Sequence, residues 1–289
     1  MANVTAKDGT RIYVEDSGSG HPILFLHEFA GDHRSWAPQV AHFSKTHRCV
    51  VMASRGYPPS DMPDDAAAYG HDIAAADAVA VLDGLRLARA HVVGLSMGAY
   101  TGLMLAIRCP ERLTALVAAA GGSGSHPPGG TAYRAETENR AAAMLAAGKF
   151  PADEVGNGPT RVQFKRKNPG GWREFRDQVA EHPVTGSAHV LRRIVGGRPS
   201  LYTFEEALRR ATVPTLLMVG DEDDGIIEIN VWLKRAMPAA ALEVWPASGH
   251  VLNLEEPDAF NDRVARFLKT VEAGAWPARQ TAAAAWKTG

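Results

Sequence analysis

Short apolar runs recur along this chain, and helical stripes lie between them. Residues 4–6, 11–16 and 23–26 read as strands, separated by D-G and G-S-G turn signals. The first two look like an antiparallel start that feeds a buried third strand. Residues 49–52 form the next apolar run, 74–85 puts Ala78, Val81, Leu82 and Leu85 on one helical face, and 91–94 is strand-like again. The following stretch, 97–108, is apolar nearly all round and stops before Pro110, which predicts a helix buried beneath other elements. Residues 113–120 are another continuous apolar strand. Strands apolar on both faces that alternate with helices predict an α/β fold with a mainly parallel sheet covered on both sides.

The alternation breaks at the G-G-S-G-S-H-P-P-G-G run of 121–130 and resumes only at 213–219. Between them lie helical stretches at 132–147, 171–181, 188–195 and 204–211, joined by G-N-G-P and N-P-G-G breakers and rich in Arg and Lys. This predicts a helical cap inserted into the core over 122–211. The core itself is expected over 1–121 and 212–270, completed by a strand at 216–219, a helix at 230–236, a strand at 241–245 and a closing helix at 258–268. Residues 271–289 read as a loosely held tail. No internal repeat is present.

Composition narrows the function. With 289 residues, 45% of them hydrophobic and 22% charged, the chain can build a large core, which excludes disordered, collagenous and coiled-coil classes. Thirty-one Lys and Arg against 32 Asp and Glu, with no basic run, give no electrostatic reason to expect a nucleic-acid partner. The absence of a signal-like N-terminal core and of any run of 18 apolar residues makes a soluble cytoplasmic protein, without membrane contact, the expectation. Cys49 and Cys109 belong to no C-x-x-C pair and read as small buried hydrophobes.

Candidate chemistry centres on Gly94-Leu95-Ser96-Met97-Gly98, a G-x-S-x-G pentapeptide placed directly between a predicted strand and a predicted helix. A serine on so tight a turn is thrust outward, and the helix start behind it favours developing negative charge. A nucleophilic serine needs a base, and the base needs an orienting acid. His250, in Ser248-Gly249-His250 after the last predicted strand, sits where an imidazole could reach Ser96. His33, His42, His47, His71 and His182 read instead as surface side chains. The acid belongs to the acidic run after 216–219: Asp223 is the first choice, Asp224 the second and Asp221 the third.

The order Ser96, Asp223, His250, together with the elbow and the late insertion, resembles the α/β-hydrolase superfamily over residues 1–270. More narrowly it resembles the branch that holds carboxylesterases, enol-lactonases and meta-cleavage-product hydrolases. That resemblance implies a mostly parallel eight-stranded sheet with helices on both faces and a helical cap. It also implies an oxyanion hole built from the backbone N–H groups of Phe29 and Met97. Its H-G-x segment falls on His27-Glu28-Phe29, so Glu28 stands where glycine is usual. His27, Glu28 and, in the cap, Trp172 are candidate site-entrance or substrate contacts. Glu28 is expected to be tied to its own loop or to Arg55, while Arg161, Lys165 and Arg166 read as a solvated basic face. A zinc reading of His27-Glu28 fails, because the H-E-x-x-H pattern needs a histidine where Gly31 stands. The expected activity is serine-dependent hydrolysis of a small carboxylic ester or lactone, with no metal and no cofactor. The alternatives are C–C bond hydrolysis of a meta-cleavage-type diketone and, of another class, a receptor or cofactor-independent oxygenase role. The partner expected is a small-molecule substrate, and the oligomeric state is not legible in the sequence.

Overall fold

A computed structural model describes residues 2–125 and 131–278 of the chain. Its eight strands are β1 (Ala2–Thr5), β2 (Arg11–Gly18), β3 (Pro22–Leu26), β4 (Arg48–Met52), β5 (Ala90–Leu95), β6 (Leu113–Ala119), β7 (Thr215–Gly220) and β8 (Ala240–Trp245). They form one sheet in the order β1-β2-β4-β3-β5-β6-β7-β8. β2 runs antiparallel to both β1 and β4, and every other pairing is parallel. The sequence distinguishes the two kinds of strand. β2 alternates, burying Ile12 and Val14 while its other positions stay at least partly open, whereas β5 and β7 are buried at every position.

In the core, α1 (Ala37–Phe43), α2 (His71–Gly84) and α3 (Met97–Arg108) follow the early strands. The apolar circumference of α3 is explained by its position: ten of its residues are buried, and it packs on β3, β5 and β6. β6 and β7 are hydrogen-bonded neighbours, yet nearly a hundred residues of sequence separate them. That stretch carries α4 (Thr131–Ala147), α5 (Ala152–Gly156), α6 (Val162–Lys167), α7 (Pro169–Ala180), α8 (Val184–His189), a π-helical turn (Val190–Val195) and α9 (Glu205–Arg210). The short α1, α5 and α6 are missing from the sequence reading because seven residues or fewer display too little of a 3.6-residue stripe. Beyond β7 come α10 (Asp224–Ala236), α11 (Leu252–Glu255) and α12 (Pro257–Glu272).

The inserted helices are fastened to the loop after β8. The His250 N–H donates to the Thr160 carbonyl at 2.8 Å, Asn168 Nδ2 donates to the Leu254 carbonyl at 3.0 Å, and Lys167 Nζ reaches Ser248 Oγ at 2.7 Å and Glu256 at 2.9 Å. Helix α12 continues past the expected start of the tail at 271, and Trp276 then packs edge-on against Phe267 while donating to the Ala239 carbonyl. The rest of the predicted tail, residues 279–289, lies outside the described residues. Cys49 is buried as expected, whereas Cys109, at the end of α3, is only half-buried.

Candidate active site

Ser96 occupies the turn between β5 and α3 with φ +53° and ψ −104°, a left-handed backbone that an L-residue keeps only when its surroundings enforce it. The enforcement is visible. Its N–H donates to the Ala119 carbonyl at 2.8 Å, and the flanking glycines sit in backbone contact: a Cβ on Gly98 would collide with the Leu26 carbonyl, and one on Gly94 with the Gly98 carbonyl. Met97, the first residue of α3, has no acceptor within the helix for its N–H. Phe29 is buried in the loop after β3, and among the described residues its N–H has no hydrogen-bond partner. The Phe29 carbonyl is held from behind by the Tyr57 hydroxyl, which donates to it at 2.5 Å.

His250 lies in the loop after β8, with Nδ1 2.5 Å from Asp223 Oδ2. Of the three aspartates in the acidic run, Asp223 alone is buried and faces the imidazole. Asp224 is exposed as the first residue of α10, and Asp221 caps the Ser248 N–H at 3.2 Å. Burial by itself would lower the pKa of His250, but the Asp223 carboxylate outweighs it and holds the pKa above the ordinary histidine value. The loop is tightly tied. Gly249 N–H donates to the Glu255 carboxylate at 3.0 Å, and a Cβ at Gly220 would strike the Ser248 carbonyl. Among the described residues no hydrogen bond joins Ser96 Oγ to His250. Such contacts are commonly loose before substrate is bound.

What faces the other nitrogen is Glu28, whose Oε2 lies 3.8 Å from His250 Nε2. Position 28 carries a side chain without backbone strain, since Glu28 is not among the residues with positive φ. The expected tie, to its own loop or to Arg55, does not form among the described residues. Arg55 is committed to Asp77, at 2.6 Å, and to Asp8, at 2.8 Å. Glu28 pairs instead with Arg161 of the insert. The carboxylate is almost wholly buried and would be costly there without a counter-charge. Arg161 therefore leaves the solvated face predicted for it. Lys165 lies over the Trp172 ring at 4.4 Å, and the exposed Arg166 pairs with Glu222 at 3.6 Å.

His27 is buried and neutral, its pKa lowered by burial to about 4. Its Nδ1 lies 2.7 Å from the Glu28 carbonyl, and its Nε2 accepts the Ser54 N–H at 3.0 Å. It shapes the loop. Trp172 is packed inside the insert, its indole N–H donating to the Gly156 carbonyl at 2.7 Å, and it makes no hydrogen bond to Ser96, Glu28 or His250 among the described residues. Two features escape a reading by sequence spacing. His182, expected at the surface, is buried between Tyr57 and Phe150 and lies 3.2 Å from Asp32 Oδ2, latching insert to core. Arg198 is buried over the Tyr100 ring, with Nε and Nη1 unpartnered among the described residues, and it lines a cavity of about 210 Å³ with Ser123, Tyr133 and Ser200. No motif marks either residue.

Comparison with known proteins agrees with this architecture. The sequence pattern of the alpha/beta hydrolase family matches residues 23–263. The chain is 27% identical over 277 residues to 3-oxoadipate enol-lactonase 1 of Acinetobacter baylyi, covering 93% of this chain and 97% of that protein. It is 28% identical over 282 residues to the 2-hydroxymuconate semialdehyde hydrolase of Pseudomonas sp. (strain CF600), covering 92% and 93%. The crystal structure of the enol-lactonase from Burkholderia xenovorans LB400 shares the fold with a TM-score of 0.80 at 24% identity, over 93% of this chain and all of that one. Among the described residues no helix is long and apolar enough to cross a membrane.

Proposed function

The chain belongs to the alpha/beta hydrolase family, and on that premise we propose that it is a serine hydrolase cleaving a small carboxylic ester or lactone through an acyl-enzyme. The observation that carries this reading is the Ser96 backbone, strained at φ +53° at the carboxyl end of the sheet, the end that also carries the His250–Asp223 pair. His250 takes the Ser96 proton, and the alkoxide attacks the carbonyl carbon. The Phe29 and Met97 N–H groups hold the resulting oxyanion, and His250 returns the proton to the leaving oxygen. Water, deprotonated by the same imidazole, then releases the acid and regenerates Ser96. Asp223 fixes the Nδ1–H tautomer and stabilises the imidazolium without accepting its proton.

The Glu28–Arg161 pair supports an uncharged reacting group, because the guanidinium beside His250 is already neutralised. The test is hydrolysis of a chain-length series of p-nitrophenyl esters together with fluorophosphonate labelling. Wild type is expected to label and turn over repeatedly, and Ser96→Ala to do neither. Labelling without ester turnover would redirect the substrate to lactones or dienone acids, and absence of labelling would overturn the nucleophile.

A second reading, C–C bond hydrolysis of a meta-cleavage-type diketone, is supported by the likeness to the 2-hydroxymuconate semialdehyde hydrolase of Pseudomonas sp. (strain CF600). Under that reading the wild type turns over a dienone acid faster than a neutral ester of similar size, and Ser96→Ala abolishes both.

A further inference from the structure

β5 has two functional-looking ends. Ser96 follows its carboxyl end, while His91 sits near its amino end, about 16 Å away at the usual rise of an extended strand. There, His91 Nε2 and His47 Nε2 each lie 3.0 Å from the same oxygen, Oε1 of Glu272. The three ligand atoms all fall within 4.8 Å of one another. His47 comes from the turn before β4, His91 from β5 and Glu272 from the last residue of α12.

We propose that His47, His91 and Glu272 form a zinc-binding site that clamps the end of α12 to the sheet, separate from the candidate active site.

Two imidazole nitrogens and one carboxylate oxygen are a zinc donor set, and at the usual bond lengths of about 2.0–2.2 Å tetrahedral ligands stand about 3.3 Å apart. The distances to Glu272 are already close to that separation. The protein also orients its donors. Thr46 Oγ1 lies 2.8 Å from His47 Nδ1, a hydrogen bond that holds the ring with Nε2 toward Glu272. At 3.0 Å each imidazole nitrogen shares with the Glu272 oxygen either a proton or, once that proton is lost, a cation. His91 is fully buried, with Nδ1 unpartnered among the described residues, so its polar contact is made at Nε2, toward the cluster. The His21 ring, 4.3 Å from that of His91, closes one wall.

Charge points the same way. Among the described residues Glu272 pairs with no Lys or Arg, and its carboxylate sits at the carbonyl end of a 16-residue helix, where the helix dipole favours a cation. Three protein ligands leave a fourth position for water. The half-exposed Glu272 gives the ion a way in.

The test is titration of the metal-stripped full chain with zinc chloride by calorimetry, with cobalt(II) absorption as an independent readout of geometry. The expected result is one ion per chain bound at micromolar Kd or tighter, and cobalt d–d bands of a four- or five-coordinate site. At a hundredfold excess of free zinc over Kd, Tm is expected to rise by about 4–8 °C, with ester turnover unchanged. His47→Ala and Glu272→Gln, both at partly exposed positions, are each expected to weaken binding at least tenfold. Glutamine can still hydrogen-bond the imidazoles, so Glu272→Gln separates metal binding from simple packing. Zinc binding weaker than about 100 µM in the wild type, or equal binding in both variants, would overturn the site.

Discussion

The two ends of β5 invert one another. At the carboxyl end a single imidazole, His250, lies between two carboxylates, Asp223 on Nδ1 and Glu28 toward Nε2, with Arg161 behind. At the amino end a single carboxylate, Glu272, lies between two imidazoles and has no guanidinium or ammonium partner among the described residues. The first arrangement favours a positive ring and suits a group that must take up and release a proton. The second presents lone pairs to a common point and suits a cation. The same residue types thus yield opposite chemistry through their ratio and the placement of the compensating charge.

The largest expected effect tests the carboxyl end alone. Ser96→Ala is expected to lower kcat about 10⁴-fold or more on the best ester, with circular dichroism and Tm unchanged. Retained turnover would remove the contrast between a reactive end and a clamping end. Next in size is Arg161→Met, which leaves the buried Glu28 carboxylate uncompensated. Chemical denaturation is expected to register a loss of about 3 kcal/mol, and a loss below about 1 would show that the pair is not holding the insert down.

A third test compares two buried histidines on the loops of the reactive end. The pKa of His27 falls from 6.5 unfolded to about 4 folded, so the stability it contributes is complete above pH 6.5 and is lost between there and pH 4. That amounts to about 2 kcal/mol between pH 7 and pH 5, read as a difference in denaturation between wild type and His27→Gln. His250 acts in reverse. Its raised pKa adds stability at low pH that fades as pH climbs through the folded value. The smallest effect is kinetic. The acid limb of kcat/KM is expected above pH 6.5, and Glu28→Gln, by removing one carboxylate beside the ring and exposing it to Arg161, should move that limb down by less than about one unit. An upward shift would mean that Glu28 does not act on His250.

Much of the reactive end was legible because its parts announce themselves locally: a glycine-flanked serine at a strand-to-helix turn, a histidine after the last strand and an acidic run after the strand before it. The strand positions were legible for the same reason, since continuous apolar runs and alternation each leave a local mark. Arg161 reads as surface, and Glu28 as tied to its own loop or to Arg55, because pairing partners 133 residues apart leave no periodic trace. His182 looked solvated because an isolated histidine carries no sign of the Tyr57 and Phe150 rings that enclose it. The cluster at the amino end is the extreme case. Residues 47, 91 and 272 share no spacing rule, and only the sheet and the final helix bring them together.

The long insertion between neighbouring strands β6 and β7 also sets a timetable for a chain emerging from the ribosome. The elbow serine is made about 150 residues before the histidine, on the order of ten seconds at ordinary elongation rates. For about a hundred residues of that interval, between the synthesis of β6 and that of β7, one edge of β6 has no partner, and Ser96 has neither Asp223 nor His250 beside it. The nascent chain therefore exposes a strand edge open to mispairing before its candidate site is assembled.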